Sequence, residues 1–167
     1  MSVKPLEIPT LEANDSDADI DIDISPSDFF GISRELEQHH AIFYQLWELG
    51  RPVFTNRLPT AAVAFNKEGE CVNFLFNPKF YKSLTPVRRN FIISHECLHV
   101  ILRHGVRAKD CESRDAANVA MDVVINELLC EQFGYDRDEI DPLTVDPRFP
   151  EKGPVRKLCW FENIFKD

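Results

Sequence analysis

Apolar positions along this chain repeat with helical period in three stretches and with strand period in one. Leu36, Ile42, Phe43, Leu46, Trp47 and Leu49 recur at helical spacing between Ser33, an N-cap residue type, and Gly50, which predicts a helix over 33–50. Residues 60–77, TAAVAFNKEGECVNFLFN, are two β-prone runs joined at Asn66-Lys67-Glu68-Gly69, a hairpin signal. TPVRRNFIISHECLHVILRHG, residues 85–105, predicts a helix with Thr85 as N-cap, Pro86 at its first position and Gly105 as its stop. SRDAANVAMDVVINELLCEQFG, residues 113–134, predicts another, capped by Ser113 or Asp115 and closed by Gly134. From Tyr135 to Lys157, four prolines and several acids predict a long surface loop, and CWFENIFKD adds a short amphipathic turn. The pattern is α+β: a small β-hairpin or sheet packed on a bundle of about three helices. At 167 residues the chain is long enough for one domain with a real core. That domain is placed at 31–167, and the abrupt ending suggests the front part of a longer protein.

Charge separates the first 30 residues from the rest. They hold eight acids and one base, a net of −7 out of −9 for the chain. EANDSDADIDIDISPSD, residues 12–28, cannot bury enough apolar surface to offset its ordering entropy and is expected to be disordered. The alternation Asp19-Ile20-Asp21-Ile22-Asp23-Ile24 also has strand period, so a conditional strand that plugs the site or docks on a protein partner is the sharper alternative. The nearly neutral remainder offers no basic stripe for a phosphate backbone, so no nucleic-acid partner is expected. Cys71, Cys97, Cys111, Cys130 and Cys159 are odd in number and widely spaced, without a C-x-x-C pair, which fits a reducing compartment. No secretory leader and no membrane-spanning apolar run is visible, so the expected location is the cytoplasm.

The helix over 85–105 raises a chemical question. It carries His95, Glu96, His99 and His104 among apolar neighbours, and burying a neutral polar group without a partner costs roughly 2–7 kcal/mol. His95-Glu96-x-x-His99 is H-E-x-x-H, whose histidines, four apart, can both reach one Zn²⁺ while Glu96 lies one step round as general base. Such an ion needs a third protein ligand. His104 is one candidate. It lies about 140° round a continuous helix from His99, and a histidine in a last turn is independently favoured by the helix dipole. The other comes from Asp115, Asn118, Asp122 and Asn126, a stripe of short acids and amides on an otherwise apolar helix. Asp122 is preferred as ligand, with Asn118 and Asn126 orienting the carboxylate or the imidazoles. His39 and His40, adjacent and therefore about 100° apart, read as surface residues.

The two helices resemble the zincin superfamily of zinc metallopeptidases. In thermolysin-like members the H-E-x-x-H helix is followed by an N-E-x-x-x-D helix supplying a glutamate ligand. Asn118 falls at the corresponding distance, but Val119 stands at the glutamate position and Asp122 is the next carboxylate, as in the aspartate-ligand branch. FNPKF (76–80), HECLHVILRH (95–104) and NVAMDVVIN (118–126) are similar to successive motifs of bacterial and phage metallopeptidase-like domains often found ahead of a von Willebrand A-like domain. This resemblance implies a zincin-like fold and hydrolysis of a peptide or protein substrate by a zinc-activated water with Glu96 as base. The strand over 71–77 is expected to form the hairpin's outer edge and pair with extended substrate. Tyr81, Arg103 and Tyr135 are the candidate oxyanion partners. Two rivals remain open: a non-catalytic zinc module closed by His95, His99, His104 and Asp122, and a partner-binding protein acting through its acidic segment.

Overall fold

The computed structural model describes residues 49–164 together with Arg34, Glu37 and Ala41. The acidic segment 1–30, the body of the helix expected over 33–50, and His39 and His40 lie outside the described residues. Within them the architecture is mixed α+β. Strands β1 (Arg51–Phe54), β2 (Ala61–Phe65) and β3 (Cys71–Phe76) are followed by helices α1 (Pro78–Ser83), α2 (Pro86–Ile101), α3 (His104–Arg107) and α4 (Arg114–Phe133). Then come α5 (Arg137–Ile140), β4 (Thr144–Val145), β5 (Pro154–Val155) and α6 (Phe161–Ile164).

The hairpin forms where its turn residues predict. Asn66 Oδ1 accepts from the Glu68 and Glu70 N–H groups, and Gly69 takes φ 86°, which favours glycine. Its second strand is not an outer edge, however. β3 pairs antiparallel with β2 and parallel with β1, in the order β1-β3-β2, so 71–77 lies in the middle. The run Arg51-Pro52-Val53-Phe54 carries too little alternation to announce the strand that covers it.

Helix ends follow their capping chemistry. Thr85 Oγ1 accepts from Arg88 N–H ahead of Pro86, Ser113 Oγ accepts from Ala116 N–H, and Gly134 closes α4 at φ 75°. Phe91, Ile93, Cys97 and Leu98 of α2 pack with Phe74, Phe76, Tyr81, Ile125 and Leu129 into the core. The other side of α2 meets α4.

α2 stops earlier than Gly105 suggests. Arg103 adopts a left-handed conformation (φ 57°, ψ 40°), and a new turn, α3, begins at His104. Gly105 marks a close contact rather than a helix stop. A Cβ there would lie 2.5 Å from Phe65 and 2.6 Å from the Gly69 carbonyl, because the hairpin tip rests on α3. Gly105→Ala should therefore cost about 1–3 kcal/mol through overpacking, read as a lower urea midpoint at unchanged slope.

The stretch after Tyr135 is more than a surface loop. It contains α5, the β4–β5 pair and buried Asp141 and Trp160. The Asp141 carboxylate accepts from the Lys157 and Leu158 N–H groups and from Trp160 Nε1 at 2.8–3.0 Å. Arg156 donates to the Arg137 and Asp141 carbonyls. A polar anchor thus takes the place of regular secondary structure in tying this segment down. No described helix is long and apolar enough to cross a membrane.

Candidate metal centre

His95 and His99 stack one turn apart on the α2 face turned toward α4, where Asp122 meets them. His95 Nε2 lies 3.0 Å from His99 Nε2 and 3.4 Å from Asp122 Oδ1, and His99 Nε2 is 3.1 Å from that same oxygen. With no cation or proton between them, these atoms would confront one another as lone pairs. Ligands on a tetrahedral ion at about 2.0–2.1 Å lie roughly 3.3 Å apart. The set fits a divalent cation that accepts imidazole and carboxylate, with a coordination position to spare. His95 and His99 are only 13% and 14% exposed while Asp122 is 34% exposed, so the cluster opens on the carboxylate side.

The electrostatics match this arrangement. Burial opposes charge on Asp122, but hydrogen bonds from the two histidines outweigh it and hold the carboxyl well below the usual range. Burial also disfavours a charged His95, yet the Asp122 hydrogen bond and the Glu96 charge raise its pKa on balance. Glu96 is buried beside the cluster and its carboxyl makes no hydrogen bond among the described residues. Burial lifts its carboxyl, and the His95 and His99 charges oppose that lift.

The far nitrogens of both rings are also engaged. His95 Nδ1 lies 2.9 Å from Asn126 Oδ1, and Asn126 Nδ2 donates to the Cys159 carbonyl at 2.9 Å. A carbonyl can only accept, so the Asn126 amide must turn its nitrogen to Cys159 and its oxygen to His95. His95 therefore donates from Nδ1 and turns Nε2 to His99 and Asp122, where it donates to the carboxylate when the ring is charged and offers a lone pair to a cation when the ring is neutral. His99 Nδ1 lies 2.9 Å from His104 Nδ1. His104 is 4% exposed, and burial together with the His99 and Arg107 charges pushes its pKa down to about 4. A neutral His104 can accept from His99 Nδ1–H, leaving His99 Nε2 free inside the cluster.

The break at Arg103 thus turns His104 to the back of His99, and the closed set of His95, His99, His104 and Asp122 is not assembled. Asn118, one turn before Asp122, is exposed and its side chain makes no hydrogen bond among the described residues, so it orients none of the three. Tyr81 is packed edge-on against Phe54 and Phe76 in the core, which takes its ring out of contention as an oxyanion partner. Ser94 spends its only proton on the Asn90 carbonyl, so Tyr135 donates to Ser94 Oγ at 3.1 Å. Arg103 is exposed at the helix break. Sequence reasoning missed the Cys159 carbonyl and the Asp141 anchor. Trp160, in the short turn after the nominal surface loop, was the available signal, since a buried tryptophan usually has a partner for its N–H.

Residues 56–136 match a family whose model is described as "Putative metallopeptidase domain". Over these residues the chain is similar to that family. No curated protein and no solved structure matches the chain. The matched segment runs from the approach to β2 through α4 and contains His95, Glu96, His99, His104, Asp122 and Asn126. It ends before Asp141 and Cys159. The match supports metallopeptidase chemistry in general terms and a metal cofactor, and His95, His99 and Asp122 form a group that could hold a metal ion.

Proposed function

We propose that this protein is a zinc-dependent, zincin-like metallopeptidase in which His95, His99 and Asp122 hold the ion and Glu96 is the general base. The observation that carries this reading is the triangle of two imidazole nitrogens and one carboxylate oxygen, with edges of 3.0–3.4 Å, beside a buried glutamate without a hydrogen-bond partner among the described residues. When bound, zinc supplies Lewis acidity and lowers the pKa of a water toward about 7.

The chain's own residues do the rest. Asn126 and His104 hold the two imidazoles so that both Nε2 lone pairs point inward. Glu96 takes a proton from the attacking water and returns it to the leaving amine. Its burial helps, because a raised pKa brings a carboxylate nearer to working pH. Extended substrate has β2 as its docking edge, since β2 is an end strand of the described sheet and packs against α2. The Asn77 N–H to Thr60 carbonyl bond sets the pairing phase, so the peptide groups of Ala61 and Val63 face away from β3.

Protein purified without chelator should contain about one zinc per chain and cleave a peptide library, losing activity in EDTA and regaining it with added zinc. A chain free of metal, whose melting is indifferent to EDTA, overturns the zinc reading. A zinc-loaded chain that cuts nothing overturns the peptidase.

A further inference from the structure

We propose that the segment from Asp141 to Trp160, beyond the family-matched residues, is a working part of the metal centre: its Cys159 carbonyl sets the facing of the Asn126 amide and thereby the tautomer of His95. The inference rests on the cation-binding part of the reading above and not on catalysis.

The path is short and each step is directional. Asp141, 4% exposed, gathers the Lys157 and Leu158 N–H groups and Trp160 Nε1 on its two oxygens. Those three donors flank Cys159 on both sides, so the carboxylate fixes the peptide that presents the Cys159 carbonyl. Trp160, 0% exposed and stacked under Arg137, anchors the far end. The carbonyl accepts from Asn126 Nδ2, which leaves only Asn126 Oδ1 for His95. Were the amide free to flip, its NH₂ group would meet His95 Nδ1. The ring would then favour the tautomer with its proton on Nε2, where the cation belongs. Asp141 is thus a positioning residue three hydrogen-bonded steps from a ligand.

Metal affinity and ring state test this directly in the full chain. In Asn126→Leu and Asp141→Asn, zinc affinity measured against a competing chelator should fall about 10–100-fold. Their Co²⁺ absorption bands should shift, and the ring ¹⁵N signals of His95 in the metal-free chain should move away from the Nδ1–H form. Cys159→Ala keeps the carbonyl and should match the wild type in all three measurements. Trp160→Phe, which keeps the packing but removes one donor to Asp141, should be intermediate. Wild-type affinity and an unmoved His95 signal in Asn126→Leu would overturn the proposal, as would loss of metal in Cys159→Ala, which would make the thiol the active group. Zinc binding without peptide cleavage would sink only the peptidase, whereas a wild-type chain that takes up no metal sinks both.

Discussion

Glu96→Gln should abolish peptide hydrolysis, with kcat falling at least about 10²–10⁴-fold, while the chain keeps its zinc. Glutamine preserves the size of the side chain and one acceptor oxygen but cannot take up a proton at neutral pH. The second half of the expectation separates chemistry from misfolding. Glu96 is 7% exposed and its charge is opposed by burial, so a neutral amide in its place should not lower the melting temperature. Zinc stoichiometry, thermal melting and turnover on the same preparation check all three points. Turnover equal to the wild type would remove Glu96 from the mechanism.

Chelation has the next largest expected effect, on stability. A ligand that binds only the folded chain stabilises it by about 2.7 kcal/mol at a free concentration of roughly 100 times Kd. For a chain of this size that corresponds to a melting temperature about 5–10 °C higher with zinc than in EDTA. Asp122→Ala should erase the difference between the two conditions, because the third donor of the triangle is gone and the histidines keep only each other. Scanning calorimetry of both proteins in both buffers decides it. An EDTA-sensitive Asp122→Ala chain would place the ion elsewhere.

How much of this site could be read in advance depended on the range of the interaction. His95, Glu96 and His99 lie within five residues, and helical period alone stacks the two imidazoles. The approach of Asp122 was legible for a related reason. A stripe of short polar side chains on an apolar helix needs a polar partner, and H-E-x-x-H supplies one. Asn126 followed from the same stripe, but Asn118 did not, since its position one turn earlier lies in solvent.

Sequence by itself determined the starts of α2 and α4 with their N-caps, the end of α4, the hairpin turn, the mixed α+β class, and which side chains could share a cation. These are properties of one turn or one strand, encoded in period, in Thr85-Pro86, Ser113 and Gly134, and in Gly69. Tertiary structure alone decided that β1 covers β3, leaving β2 as an edge, because strand order depends on where distant segments meet. It alone placed His104 behind His99, since the left-handed turn at Arg103 accompanies the hairpin tip pressing on Gly105. It also brought the Cys159 carbonyl to Asn126. Every residue carries that group, so no side-chain pattern announces it, and only the folded path of the chain gives it a role.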